Sequence, residues 1–237
     1  MMELVDVTKV YQQGRRTVQA VRGVSLRVQG GEFVSIMGPS GSGKSTLMHL
    51  MGALDTPDSG HVLFDGRDLR TLSDRDRSLL RRTRIGFIFQ FFNLLPTLTA
   101  AENVALPLLL GGAGRAPARK AAEAALERVG LADRAGHFPE EMSGGEMQRV
   151  AVARALIAEP EAILCDEPTG NLDSVTSRDI LGLLRALPEA GLRAVVMVTH
   201  DASAAAYGDR VVHIRDGLVD REEPGDGPRA ARAVSSP

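Results

Sequence analysis

One glycine-rich octapeptide constrains the fold of this chain more than any other feature. It reads Gly38-Pro39-Ser40-Gly41-Ser42-Gly43-Lys44-Ser45, with four residues between its first glycine and the closing Gly-Lys-Ser. The apolar run 33–37 precedes it and the helix-like run 46–50 follows it. A loop in that context turns backbone N–H groups and a helix start toward an anion. The spacing therefore predicts an α/β protein that binds phosphate here, rather than a chance glycine-rich turn.

The side chains of this phosphate-binding loop, or P-loop, fit a nucleoside triphosphate. Its glycines let the backbone fold back on itself. Lys44 supplies a positive charge for the β- and γ-phosphates, and the Ser45 hydroxyl is a ligand for Mg²⁺. The residues that we expect to contact ATP here are Gly38, Ser40, Gly41, Ser42, Gly43, Lys44, Ser45 and Thr46.

Short apolar strands alternate with helical segments along the rest of the chain. This alternation predicts a mostly parallel sheet covered by helices. The strand-like segments are 3–7, 18–28, 33–37, 61–64, 85–89, 162–165, 194–198 and 210–214. Residues 99–158, interrupted by a predicted loop at 111–117, and residues 175–187 are helical in pattern, and the tail from 223 to 237 is predicted to be disordered.

Polar side chains follow three of these strands, at the edge where α/β sheets bind ligands. Asp166 and Glu167 end the strand 162–165, where the first would hold Mg²⁺ and the second would face an attacking water. Gln90 and His200 each follow another strand, and are placed to reach Mg²⁺ or water and the γ-phosphate, respectively. The alternative is that these are ordinary solvated residues at strand ends.

Two further features have both a structural and a functional interpretation. Ser143 with Glu146 three residues later is a capping box, and the same helix start presents the N–H groups of Gly144 and Gly145 to an anion. Tyr11 is placed to stack on adenine or to pack in the protein.

Composition narrows the possible functions. The 237 residues are 43% hydrophobic with a net charge of -2, which is ordinary for a globular protein and gives no sign of nucleic-acid binding. The single Cys165 excludes an internal disulfide and a multi-cysteine metal site. The sequence has no run of eighteen apolar residues and no signal-peptide pattern at its start.

The order of these motifs resembles that of the ABC-transporter ATPase family over about residues 3–220. In the family's terms they are Tyr11, Walker A (38–45), the Q-loop Gln90, the signature 142–146, Walker B (Asp166, Glu167), the D-loop 171–173 and the switch His200. The resemblance implies a P-loop fold with a mostly parallel core sheet, an antiparallel β subdomain and an inserted helical subdomain at about 91–158, within an ATP-binding domain at 1–222. It also implies a homodimer around two ATP, with Mg²⁺ as a further cofactor, in which Ser143, Gly144 and Gly145 act on the partner's ATP. Met142 and Glu146 depart mildly from the commonest signature.

Several segments resemble the macrolide-exporter and lipoprotein-release ATPases, namely 91–96, 102–104 and 168–173. That likeness implies an FtsX-type permease as partner and a place on the cytoplasmic face of the cell membrane. Phe91, Phe92, Leu94 and Leu95 follow a strand and are predicted to dock the permease, rather than to cap the core. The alternatives are an importer subunit and an ABC ATPase without a permease.

Overall fold

The computed structural model describes residues 1–14, 16–189 and 193–227. The chain divides into two compact units, the first formed by Met1–Leu79 and Arg185–Pro237 and the second by Leu80–Leu184. The strands are β1 (Met2–Gln13), β2 (Arg16–Val28), β3 (Phe33–Met37), β4 (Ser59–Phe64), β5 (Arg67–Asp68), β6 (Ile85–Phe89), β7 (Ala162–Asp166), β8 (Ala194–Thr199), β9 (Arg210–Arg215) and β10 (Leu218–Pro224). The helices are α1 (Lys44–Met51), α2 (Asp74–Thr83), α3 (Ala100–Leu110), α4 (Arg115–Arg128), α5 (Gly144–Leu156), α6 (Ser174–Glu189) and α7 (Ala202–Ala205), with short 3-10 turns at Leu69–Thr71, Ala132–Arg134 and Pro139–Glu141.

The first unit contains an antiparallel sheet and a group of mostly parallel strands. The antiparallel sheet has the order β2-β1-β4-β5. Strand β3 pairs in parallel with β8 on one side and β9 on the other, and β10 adds an antiparallel hairpin to β9. Strands β3 and β8 are almost wholly apolar because both faces of a parallel sheet are covered. Phe33 and Ile36 of β3 and Leu47 of α1 are fully buried.

The second unit combines one parallel strand pair with helices α3, α4 and α5 and most of α6. Strands β6 and β7 pair in parallel from Ile85 opposite Ala162 to Phe89 opposite Asp166. Helices α3, α4 and α5 pack on one another and bury Val104, Leu126 and Val150 completely. These helices lie within the predicted helical region, and the α/β fold with parallel and antiparallel sheets is confirmed.

Two details differ from the expectation. Helix α4 begins at Arg115, so the predicted loop 111–117 ends at Gly114; Pro117 falls in the first helical turn, where its missing N–H costs nothing. Strand β10 runs through Pro224, so the predicted start of the tail lies inside a strand. There the Glu223 carboxylate lies 2.8 Å from His213 Nε2. The predicted disorder of 228–237 lies outside the described residues.

Helix α2 has no counterpart in the sequence prediction. Only one of its side chains, Leu80, is buried, so it lacks the apolar stripe by which a helix is recognised. Acidic residues in its first turn and arginines in its last turn instead complement the helix dipole. Ser73 caps its start by accepting from the Asp76 N–H at 3.2 Å.

Candidate functional site

The P-loop of the first unit has the strand–loop–helix form that the sequence predicts. It begins after β3 and ends where α1 begins at Lys44. Gly41 and Gly43 have φ angles of 77° and 101°, a region that favours glycine. A Cβ atom on Gly43 would lie 2.1 Å from the Ala20 carbonyl oxygen, and one on Gly38 would lie 2.1 Å from that of Ile214. Glycine is therefore required at 38 by close backbone approach, and at 43 by both close approach and conformation.

Two polar side chains are enclosed by this loop. The buried Lys44 ammonium group folds back and donates to the Pro39 carbonyl at 2.9 Å. The Ser42 hydroxyl is buried and has no hydrogen-bond partner among the described residues. A buried hydroxyl without a partner is costly, and a phosphate oxygen in the loop would supply one. The residues present thus fit a bound phosphate chain, with Ser40, Ser45 and Thr46 at the accessible surface of the same segment.

Strand register places His200 near the P-loop within the first unit. Met37, the last residue of β3, lies opposite Thr199, the last residue of β8. The residues that follow them, Gly38 and His200, therefore leave the sheet at the same carboxyl edge. His200 is exposed there.

Tyr11 lies on β1 of the same unit and is partly buried. Its hydroxyl donates to the Asp55 carboxylate at 2.7 Å. Burial and the Asp55 carboxylate raise the pKa of Tyr11 to about 12. The phenol is therefore a neutral hydrogen-bond donor throughout the physiological range.

In the second unit, the register of β6 and β7 brings together two of the predicted groups. Phe89 lies opposite Asp166, so Gln90 and Glu167 follow side by side at one carboxyl edge. Glu167 has a φ angle of 48°, which is uncommon for a residue with a side chain. Such backbone strain concentrates at functional sites. The geometry thus places the predicted metal ligands and water-activating carboxylate of this unit together.

The Q-loop and D-loop are joined directly. The Gln90 side-chain amide donates to Asn171 Oδ1 at 3.2 Å, and Asn171 Nδ2 donates to the Gln90 carbonyl at 3.0 Å. A Cβ atom on Gly170 would lie 2.8 Å from Gln90 Nε2. Any side chain at position 170 would therefore displace Gln90 from Asn171.

The signature segment forms the predicted capping box. The Ser143 hydroxyl accepts from the Glu146 N–H at 3.3 Å and donates to the Glu146 carboxylate at 2.8 Å. That carboxylate also accepts from the Ser143 N–H and lies 3.1 Å from Arg134. The hydrogen bonds from Ser143 hold the pKa of Glu146 below its ordinary value. Gly144 and Gly145 form the first turn of α5.

The D-loop carboxylate shapes the start of the next helix. Asp173 accepts from the N–H groups of Val175 and Thr176 at 2.9 and 3.0 Å, and from the Thr176 hydroxyl at 2.6 Å. Thr176 also faces the signature, because a Cβ atom on Gly145 would lie 2.5 Å from its methyl carbon. The signature and the D-loop are therefore in contact inside the second unit.

The apolar segment after Gln90 is partly exposed and is held by side chains that sequence reasoning missed. Phe91 and Leu95 are 73% and 45% exposed, so they do not cap the core, whereas Phe92 and Leu94 are half-buried. Arg154 of α5 donates to the carbonyls of Phe92 and Asn93 at 2.7 and 2.5 Å, across two residues with positive φ. An arginine within a helix gives no sequence signal for such a contact.

Asn103 is the second anchor of this segment and is completely buried. Its amide nitrogen lies 3.1, 3.0 and 3.1 Å from the carbonyl oxygens of Leu95, Leu98 and Thr99, and its oxygen accepts from the Leu95 N–H at 2.8 Å. It falls in the motif 102–104, but nothing in the sequence identifies its partners. The side chain therefore fixes the path of the chain from Leu95 to the start of α3.

Replacing Asn103 by alanine is expected to lower the free energy of unfolding by about 2–4 kcal/mol, because backbone groups of residues 95–99 lose their buried partner. Urea unfolding of the purified protein measures the change. Thr97→Ala, an exposed change in the same segment, is the control and is expected to shift stability by less than about 0.5 kcal/mol. A loss as small as that for Asn103→Ala would contradict the anchoring role.

Among residues 1–14, 16–189 and 193–227, no helix is long and apolar enough to cross a membrane.

Comparison with known proteins supports the same interpretation. The ABC transporter family profile matches residues 21–170. The lipoprotein-releasing system ATP-binding protein LolD of Shewanella denitrificans is 48% identical, over 94% of this chain and 96% of that protein. The macrolide export ATP-binding/permease protein MacB of Syntrophobacter fumaroxidans is 46% identical over 99% of this chain, which spans only 33% of that longer protein. A dimeric structure of the cassette MJ0796 of Methanocaldococcus jannaschii, in a post-hydrolysis state with ADP and Pi, matches with a TM-score of 0.88 and 46% identity, covering 94% of this chain and 98% of that one.

Proposed function

Because the chain belongs to the ABC transporter ATP-binding proteins, and is thus an ATPase, we propose that it energises a separate permease of the MacB or lipoprotein-release type. The ATPase part of this proposal rests on the P-loop, where the buried Ser42 hydroxyl lacks a partner that a phosphate oxygen would supply, and the permease type rests on the 48% identity to LolD. Macrolide export and lipoprotein release are the functions stated in the names of the relatives MacB and LolD, respectively. In either case the permease would handle the substrate, and this chain would supply the free energy of ATP hydrolysis.

Each predicted site residue has a role in this proposal. Gly38 to Thr46 bind the phosphates, with the Lys44 ammonium group neutralising charge, and the Tyr11 ring stacks on adenine. Ser45, Gln90 and Asp166 carry the hydroxyl, amide and carboxylate oxygens that Mg²⁺ prefers. When bound, Mg²⁺ neutralises phosphate charge. Glu167 accepts a proton from the attacking water, and His200 donates a hydrogen bond to the γ-phosphate.

The signature completes the partner subunit's site in this scheme. MJ0796 forms a dimer in the matching structure, and the capped start of α5 offers Ser143 and the N–H groups of Gly144 and Gly145. We propose that two copies of this chain bind two ATP molecules between them. Asp173 accepts a hydrogen bond from Thr176, whose methyl group lies beside Gly145 of the signature. Asp173 would then link the two sites.

The permease is proposed to dock on the second unit, which would hold the chain at the cytoplasmic face of the membrane. Phe91 and Leu95 are exposed on a segment that Arg154 and Asn103 fix in place. A groove of about 500 Å³, lined by residues of α3, α4 and the loops at 98–99 and 135–136, lies along the helix that holds Asn103. An exposed apolar segment beside a groove suits a short amphipathic helix of the permease.

Leu95→Asp is expected to reduce co-purification with the permease at least tenfold, because a charge would enter an apolar contact. The melting temperature and the ATP affinity of the isolated protein should stay almost unchanged, since Leu95 is 45% exposed. Pull-down from detergent with the tagged permease, together with thermal unfolding, measures both.

The matched control is Leu218→Asp, a leucine of similar exposure, 42%, in the other unit. It should leave permease binding intact. Strong destabilisation by Leu95→Asp, with normal permease binding by the protein that does fold, would place the docking site elsewhere.

A further inference from the structure

Lys9, Tyr11 and Asp55 form a closed hydrogen-bonded cluster in the first unit. The Tyr11 hydroxyl donates to Asp55 Oδ2 at 2.7 Å, and Lys9 Nζ donates to Asp55 Oδ1 at 2.8 Å. Lys9 Nζ also lies 5.3 Å from the centre of the Tyr11 ring, within the range of a cation–π contact. Asp55 thus accepts from two side-chain donors, and one of them, Lys9, also lies over the aromatic ring.

The backbone around Asp55 is tied to the strand that carries Tyr11. Lys9 Nζ donates to the Thr56 carbonyl at 2.7 Å, the Thr56 N–H donates back to Asp55 at 2.7 Å, and the Asp58 N–H donates to the Thr8 carbonyl at 2.9 Å. Residues 55–58 follow α1, the helix that begins at Lys44 of the P-loop. The cluster therefore connects the aromatic ring on β1 to the element that carries the phosphate-binding lysine.

Protonation in the cluster is fixed at neutral pH. Burial would raise the pKa of Asp55, but the hydrogen bonds from Lys9 and Tyr11 hold it below its ordinary value. The pKa of Tyr11, at about 12, keeps its hydroxyl protonated. The donor–acceptor pair between Tyr11 and Asp55 is consequently present wherever the protein works.

We propose that Asp55, itself held by Lys9, is a positioning residue that fixes the Tyr11 ring in the orientation needed to stack on the nucleotide base. The inference rests on the base stacking by Tyr11 in the proposed function. An aromatic ring that is already ordered loses less conformational freedom when the base binds, so the cluster raises affinity without touching the nucleotide. Hydrogen bonding at the hydroxyl end restrains rotation of the ring about its side-chain bonds.

The test compares ATP with inorganic tripolyphosphate, which carries the phosphates but no base. Asp55→Ala and Tyr11→Phe both remove the hydrogen bond between Tyr11 and Asp55, and Tyr11→Phe also removes the hydrogen bond between the Tyr11 hydroxyl and Thr46. Each should weaken ATP binding about three- to tenfold, the usual effect of leaving one side chain to be ordered on binding. Tripolyphosphate binding, measured by calorimetry on the full chain, should stay unchanged. In hydrolysis assays, KM for ATP should rise while kcat at saturating ATP stays constant.

Asp58→Asn is the matched control. Asp58 lies 3.9 Å from Lys9 and accepts from the Val10 N–H at 2.6 Å, so its replacement also removes a carboxylate near the same lysine. Asparagine keeps the acceptor for Val10. This variant should leave the ratio of ATP to tripolyphosphate affinity at its wild-type value.

The outcomes separate this inference from the proposed role of Tyr11. Adding Asp55→Ala to Tyr11→Ala should cause no further loss of ATP affinity. Normal ATP affinity in Tyr11→Ala alone would overturn base stacking, and the positioning role with it. A weakened Tyr11→Ala beside normal Asp55→Ala and Tyr11→Phe would overturn only the positioning role, as would an equal loss of ATP and tripolyphosphate binding. If Asp55→Ala fails to fold, Tyr11→Phe decides.

Discussion

Replacing Glu167 by glutamine is expected to slow ATP hydrolysis by roughly 10²–10⁴-fold, the usual contribution of a general base. Glutamine has the same shape but does not accept a proton from water, so nucleotide binding should persist. Phosphate release under saturating ATP measures the rate. Gel filtration with ATP should then show a dimer that accumulates, because the step that separates the subunits is blocked.

Glu159→Gln is the matched control for this change. Glu159 is also a glutamate with positive φ, 51° against 48° for Glu167, but it precedes β7, whereas Glu167 follows that strand. It should hydrolyse ATP at the normal rate. Near-normal turnover by folded Glu167→Gln protein would show that another group activates the water.

Ser143→Arg is expected to abolish ATP-driven dimerisation while leaving the affinity of the monomer for ATP nearly intact. The arginine would remove the hydroxyl, crowd the start of α5 and add a positive charge at the positive end of the helix dipole. In the Glu167→Gln background, where the ATP-bound dimer should persist, light scattering with and without ATP measures the loss directly.

Two controls accompany this change. Ser73→Arg replaces another exposed helix-capping serine, at the start of α2. It removes a similar capping hydrogen bond without changing the signature. It should dimerise normally. Lys44→Ala should weaken ATP binding itself, because it removes a charge beside the phosphates. Loss of monomer affinity for ATP in Ser143→Arg would place Ser143 in its own subunit's site and contradict the proposed sandwich.

The P-loop and the capping box are local features, and for that reason they could be predicted from the sequence. The positive φ angles of Gly41 and Gly43, and the reciprocal bonds between Ser143 and Glu146, depend on residues at most three positions apart. The mostly parallel pairing of the core strands followed from the alternation of apolar runs with helices. The roles of the site residues remain predictions that the variants above address.

The contacts that position the site residues could not be predicted, because their partners are distant in sequence. Tyr11 and Asp55 are 44 residues apart, and Arg154 reaches a carbonyl 61 residues away. Such side chains leave no periodic pattern. Helix α2 was missed for a different reason. It is a local feature, but it buries only Leu80 and therefore lacks the repeated apolar positions by which a helix is recognised.

The capping box at Ser143 has a consequence for how the dimer opens. The serine hydroxyl has one proton, and the Glu146 carboxylate already accepts it at 2.8 Å. Donation to a partner's phosphate therefore exchanges one charged acceptor for another, and the net gain is the small difference between two similar hydrogen bonds. Glu146 keeps the Ser143 N–H and Arg134 meanwhile. In the proposed dimer, the hydroxyl would have an acceptor both with and without the phosphate. Release of the phosphate would then leave no polar group unpaired, and this hydrogen bond would contribute little net free energy to holding the subunits together.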